Sequence, residues 1–160
     1  MLREGEIRIP SGCAISGIIN IKGKTFSGND ILKSISMMRD RSNGLGGGFA
    51  AYGIYPEYKD LYALHVFYDD KVAKNNAEEF LKEHFFIEED EKVPTRKVAG
   101  IKDAPIIWRY FSGPRKDKIK DSGLDEDEFV ARCVMRINSS IKGAYVVSSG
   151  KNMGVFKAVG

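Results

Sequence analysis

Hydrophobic and polar residues along this chain sort into short runs whose spacing predicts alternating strands and helices. CAISGIIN, residues 13–20, is short, largely apolar and rich in isoleucine, the pattern of a buried strand. Ile31, Ile35 and Met38 fall on one face of a helix from about 30 to 41, capped by Asn29 or Asp30 and closed by Arg39, Asp40 and Arg41. SNGLGGGFAAYGIYP, residues 42–56, opens as a glycine loop, and its second part, FAAYGIY, predicts a strand. Residues 56–60 predict a turn and LYALHVFYD, residues 61–69, a second strand, paired antiparallel with the one before it.

Residues 72–85, VAKNNAEEFLKEHF, predict an amphipathic helix with Val72, Phe80, Leu81 and His84 on its inner face. IEEDEKVPTRKVAG reads as a charged stretch ending in loop signals. APIIWRYF, residues 104–111, is a strand by its aromatic and β-branched content. GPRKDKIKDSG reads as a solvated loop. A helix follows from Asp125 to about Ile141, with Phe129, Val130, Cys133, Val134, Ile137 and Ile141 at helical spacing. GAYVVSS and MGVFKAV are two more strands around an SGKN turn, and there is no internal repeat or low-complexity tract.

Composition adds bounds rather than identity. A length of 160 residues suits one domain with a real core. Apolar residues at 42% and charged residues at 29% place the chain in the soluble globular class, and no apolar run reaches transmembrane length. The formal charge of +3 neither demands nor excludes a nucleic-acid partner. The leader MLREGEIRIPSG lacks the apolar region of a secretory signal. Two cysteines far apart suit a reducing cytoplasm, and two histidines without a cysteine cluster argue against zinc.

Cys13 is the candidate nucleophile, because a thiolate is reactive even as a minor species. It needs a base. If the peptide before it were removed, its own α-amine, with a reference pKa of roughly 7.7–8.0, would serve. Read from the pattern alone, Cys13 is first a buried core cysteine, and Cys133, on the apolar face of a helix, is a core residue. His65, mid-strand among apolar neighbours, reads as structural, and His84 as a partner of a helix C-terminus. GLGGGF lacks a following G-K-[ST] and stands in the order helix, loop, strand, the wrong order for a phosphate cradle. Lys151 in the SGKN hairpin turn and the cations from Arg115 to Lys120 read as solvated. Tyr110 and Phe111 cannot join the latter in a stacking platform, because they point to alternate faces of a strand.

Four segments carry a resemblance. SGCAISGIIN resembles the opening of class II glutamine amidotransferases, where Cys-x-I-x-G-I follows cleavage or methionine removal. SMMRDRSNGLGGGFAAYGIYPEYKD resembles the helix-to-glycine segment of the glutamate synthase branch, and APIIWRYFSGP and KGAYVVSSGKNMGVFKAVG resemble later segments of that branch, in the same order. The resemblance implies an α+β fold, part of the N-terminal nucleophile hydrolase αββα sandwich with antiparallel sheets. It implies that residues 1–12 are a leader or propeptide and residues 13–160 the N-terminal part of an incomplete glutamine amidotransferase domain. Cys13 would then be the catalytic nucleophile, and Arg41, which matches the arginine before the glycine segment, would lie near it as a substrate-binding residue. Gly44 to Gly48 would allow close backbone packing beside the site.

The partners so implied are L-glutamine and a synthase domain or subunit that receives the ammonia, in the cytoplasm, with neither nucleic acid nor membrane. No cofactor is expected in this chain; flavin, iron–sulfur and NAD(P)H would belong to partner domains. The family's His-x-Arg strand, its Asn-Gly oxyanion pair and its acidic residue for the substrate amine have no match here. The expectation is therefore that this chain alone is inert. The other reading is a truncated, non-catalytic relative that binds a partner or ligand.

Overall fold

The computed structural model describes residues 12–41, 46–97, 99 and 101–159. It is a mixed α+β structure that divides into two compact units, Met1–Gly48 with Lys157–Gly160, and Phe49–Phe156.

The larger unit is built on an antiparallel sheet in the order β3-β4-β2-β5. These strands are β2 (Tyr62–Tyr68), β3 (Phe85–Lys92), β4 (Ile106–Pro114) and β5 (Ala144–Lys151). Along β2, alternate residues take opposite faces. Tyr62, Leu64, Val66 and Tyr68 point to a core shared with α2 (Lys71–His84) and α4 (Glu126–Ser140), which supply Ala73, Ala77, Leu81, Phe129, Cys133 and Ile137. Ala63 and His65 point the other way and are also fully buried. The sheet is therefore covered on both faces around β2.

Capping explains where the two long helices begin. Asp70 accepts a hydrogen bond from the Ala73 N–H at 2.8 Å, and Asp125 accepts one from the Glu128 N–H at 2.8 Å. Glu126, Asp127 and Glu128 then place negative charge at the positive end of α4. Asp125→Ala is expected to cost about 1 kcal/mol, because an N-cap contact is lost while the exposed site is otherwise unchanged. Thermal or urea unfolding would read it as a lowered midpoint with an unchanged denaturant slope.

A buried polar chain ties α2 to the sheet. The Tyr110 hydroxyl donates to Glu78 Oε1 at 3.0 Å, so the Tyr68 hydroxyl, 2.9 Å away, donates to Tyr110. Burial pushes both phenols up. Burial also works to raise Glu78, but its hydrogen bonds from Lys74 and Tyr110 outweigh this and hold it below the usual carboxylate value.

Several expectations need correction. Residues 13–20 form no strand; Ile15 and Ile19 are 93% and 85% exposed, so apolar composition without a pairing neighbour is not enough. The helix expected over 30–41 is α1 (Asn29–Ser36), followed by a separate 3₁₀ turn at Arg39–Arg41. The strand from the glycine segment, β1 (Gly46–Tyr52), does not pair with β2; it pairs with β6 (Met153–Val159) in a two-stranded sheet. Gly53 at φ 78° and a 3₁₀ turn at Pro56–Tyr58 redirect the chain between β1 and β2. For the same reason SGKN is not a hairpin turn: Asn152, at φ 56°, passes the chain from one sheet to the other.

In α2, Leu81 lies on the inner face as expected and Phe80 packs partly buried against the core, but Val72 is 66% exposed, and Ala73 and Ala77 complete that face in its place. The charged stretch after α2 contains the edge strand β3, two of whose charges find cross-strand partners. Glu91 pairs with Arg109, and Asp90 accepts from the Trp108 indole N–H at 2.8 Å. The loop expected after β4 contains α3 (Lys116–Ser122), closed by Gly123 in the left-handed conformation. Its one partly buried apolar residue facing the core, Ile119, is too little periodicity to announce a helix.

Candidate functional site

In the smaller unit Cys13 is exposed, near the start of an irregular segment. Two contacts fix that segment's course. The Ser16 and Ser34 hydroxyls are hydrogen-bonded at 2.5 Å, which lays the segment beside α1. Gly12 lies close to the 3₁₀ turn; a Cβ placed on it would meet the Arg41 carbonyl oxygen at 3.4 Å. The residue before Cys13 is thus a neighbour of Arg41, through the Arg41 backbone, and the Arg41 side chain is exposed.

Cys13 is therefore not the core cysteine that its apolar surroundings in sequence suggest. The other cysteine is. Cys133 is 5% exposed in α4, and burial pushes its thiol up to about 11, which leaves it inert as a nucleophile. Of the expected leader, residues 1–11 lie outside the described residues, as does Gly44 of the glycine run. Gly47 has no neighbour within 4 Å of a Cβ built on it, so close packing does not explain a glycine there.

A second polar cluster lies in the larger unit, on the sheet face away from the helices. His65 of β2 and Arg109 of β4 stand directly opposite each other. Arg109 donates to Glu91 and, at 3.1 Å, to the Tyr55 hydroxyl. That hydroxyl is 2.7 Å from His65 Nε2. Tyr55 thus bridges Arg109 and His65 through its hydroxyl, while His65 Nδ1 is buried without a partner among the described residues. Burial first, and the Arg109 charge second, lower His65 to about 4, so the ring is neutral at pH 7. Phe156 of β6 sets its ring edge on His65 at 4.8 Å, and Phe111 carries Tyr55 edge-on at 4.9 Å and Tyr58 stacked at 4.0 Å.

No family model matches this chain. It is similar to a protein of Archaeoglobus fulgidus described as an uncharacterized protein. The identity is 49% over 150 residues, which is 92% of this chain and 39% of that protein's own length. The chain thus spans about two fifths of the relative it matches.

His65 is placed as its sequence context predicts, as a buried structural residue. Its partners Tyr55, Arg109 and Glu91 were not among the candidates. The available signal was a lone cation, Arg109, inside the otherwise apolar strand IIWRYF, since a charge there must be paired. His84 also has a structural role: its Nδ1–H donates to the Phe80 carbonyl at 2.9 Å, and its ring stacks on Phe80 at 4.1 Å. Among the described residues no group of three metal-ligating side chains comes together, and no helix is long and apolar enough to cross a membrane.

Proposed function

We propose that this chain carries the nucleophile of a glutaminase of the glutamate synthase type, with Cys13 as the attacking residue. The observation that carries the reading is the exposed Cys13 thiol on the segment held beside Arg41, within four sequence segments that resemble that family in the same order. The proposed fold is the corresponding part of an αββα sandwich. Two features support it: helices cover one face of the four-stranded sheet, and β6, from the second sheet, meets the other face through Phe156 and His65.

In the proposed reaction the Cys13 thiolate attacks the side-chain amide carbon of glutamine. The C–N bond breaks, ammonia leaves with the proton it needs, and a thioester remains. Water then attacks the thioester, releasing glutamate and restoring the thiol. The α-amine of Cys13 takes and returns the proton, which requires that residues 1–12 be removed, because an amide nitrogen is no base at neutral pH. Arg41 would orient the substrate. The ammonia would pass to a synthase domain or subunit.

The test is release of ammonia and glutamate from L-glutamine by the full product of the gene, read beside the mass of its N-terminus. Hydrolysis by a chain that begins at Cys13 is the expected result. An active enzyme that keeps Met1 would remove the amine from the mechanism.

One observation favours the other reading, a partner-binding relative without activity. Ile15, Ile19 and Ile21 are 85–93% exposed along one segment, and such a patch is a common mark of an interaction surface. Absence of glutamine hydrolysis in the full product would favour it.

A further inference from the structure

On the β5 edge of the four-stranded sheet, one side chain takes up the backbone groups of Val146. Among the described residues β5 pairs with β2 and with no other strand, so its far side presents backbone groups. Asn138, near the end of α4, meets them there. The Val146 N–H donates to Asn138 Oδ1 at 2.7 Å, and Asn138 Nδ2–H donates to the Val146 carbonyl at 3.1 Å. A side-chain amide has one donor and one acceptor in the same arrangement as a peptide unit. Asn138 therefore takes up both groups that a neighbouring strand would use at this residue. Two residues earlier, the Ala144 N–H is held by the Ile141 carbonyl at 3.2 Å.

The strand behind this guard is well suited to pairing with itself. AYVVSSGK has an aromatic and two β-branched residues in its first half, no proline, and one charge, at Lys151. Lys151 is itself engaged by Glu126 at 2.8 Å. An edge of this kind is a template for strand addition unless something blunts it. Two copies related by a two-fold axis beside Val146 would run antiparallel, and the two Val146 residues would exchange both N–H···O=C bonds. Those are the two bonds that Asn138 makes.

We propose that Asn138 is an edge guard that keeps this chain from pairing through β5 with a second copy of itself. The guard occupies the centre of the self-complementary register. Its removal frees the Val146 N–H and carbonyl together and leaves the ladder between β5 and β2 intact.

Sedimentation velocity from micromolar to several hundred micromolar tests this on the native chain, Asn138→Ala and Asn138→Asp. Asn138→Ala is expected to self-associate at least about tenfold more tightly than the native chain, at unchanged far-ultraviolet circular dichroism. Asn138→Asp keeps an acceptor for the Val146 N–H and sets a charge against the edge, so it should associate no more than the native chain. A peptide of sequence AYVVSSGK should bind Asn138→Ala and fail to bind the native chain. A folded Asn138→Ala that associates like the native chain overturns the proposal, as does equal peptide binding by the two. Hydrogen exchange on the native protein decides the matter if the alanine variant does not fold. The Val146 amide should be protected like the amides inside the sheet, and free exchange there also overturns the guard.

Discussion

Replacing Cys13 by alanine is expected to lower glutamine hydrolysis by at least about 10³-fold, because the covalent route is lost with its nucleophile. The variant should fold as the native chain does. Cys13 is exposed, and exposed substitutions usually stay within about 0.5 kcal/mol. The experiment uses the full product of the gene and follows ammonia release, with unfolding measured beside it. Glutamine should still bind, since the sulfur acts in the chemical step, so the loss should fall on kcat and leave the dissociation constant near its native value. Equal turnover in the two proteins would take Cys13 out of the mechanism. Cys13→Ser is the finer comparison: it retains an α-amine at the same place but offers a far weaker nucleophile, so its activity should fall nearly as far.

The elements that were legible in the sequence are those whose own periodicity matches what they pack against. β2 and β4 have aromatic and β-branched runs and sit at the centre of the sheet; α4 carries Phe129, Val130, Cys133 and Ile137 at helical spacing, and all four are buried. The misread elements depend on neighbours that are distant in sequence. β3 is a strand because β4 supplies its ladder and because Glu91 and Asp90 reach Arg109 and Trp108, 18 residues on in both pairs. CAISGIIN fails as a strand for the converse reason: it has the apolar residues of one and no described strand beside it. The site divides in the same way. Cys13 stood out through the family resemblance and not through its own context, which favoured burial. His65 was legible as structural from its apolar neighbours, whereas Tyr55 and Arg109, its hydrogen-bond chain, come together only once β2 and β4 are in register.

That chain has a measurable consequence in acid. In the folded protein His65 is held to about 4; in the unfolded chain it returns to its ordinary value near 6.5. Between those values the unfolded state binds a proton that the folded state refuses, so stability must fall as the pH is lowered from 6.5 towards 4. The slope from this one group is at most about 1.4 kcal/mol per pH unit, and the total at most about 3 kcal/mol. Glu78 acts in the same direction but in a lower window: its contribution is complete above the ordinary carboxylate value of 4.5 and is lost as the pH falls through its depressed folded value. Urea unfolding at pH 7, 6 and 5 therefore isolates His65. His65→Gln keeps a hydrogen-bonding partner for the Tyr55 hydroxyl and removes the titration. It should lose most of the stability difference between pH 7 and pH 5, whatever its stability at pH 7. A native slope retained in His65→Gln would assign the acid sensitivity to other groups. The physical reason lies in the pairing itself: protonation of His65 would place a buried cation directly across from the partly buried Arg109, whose charge is already matched by Glu91.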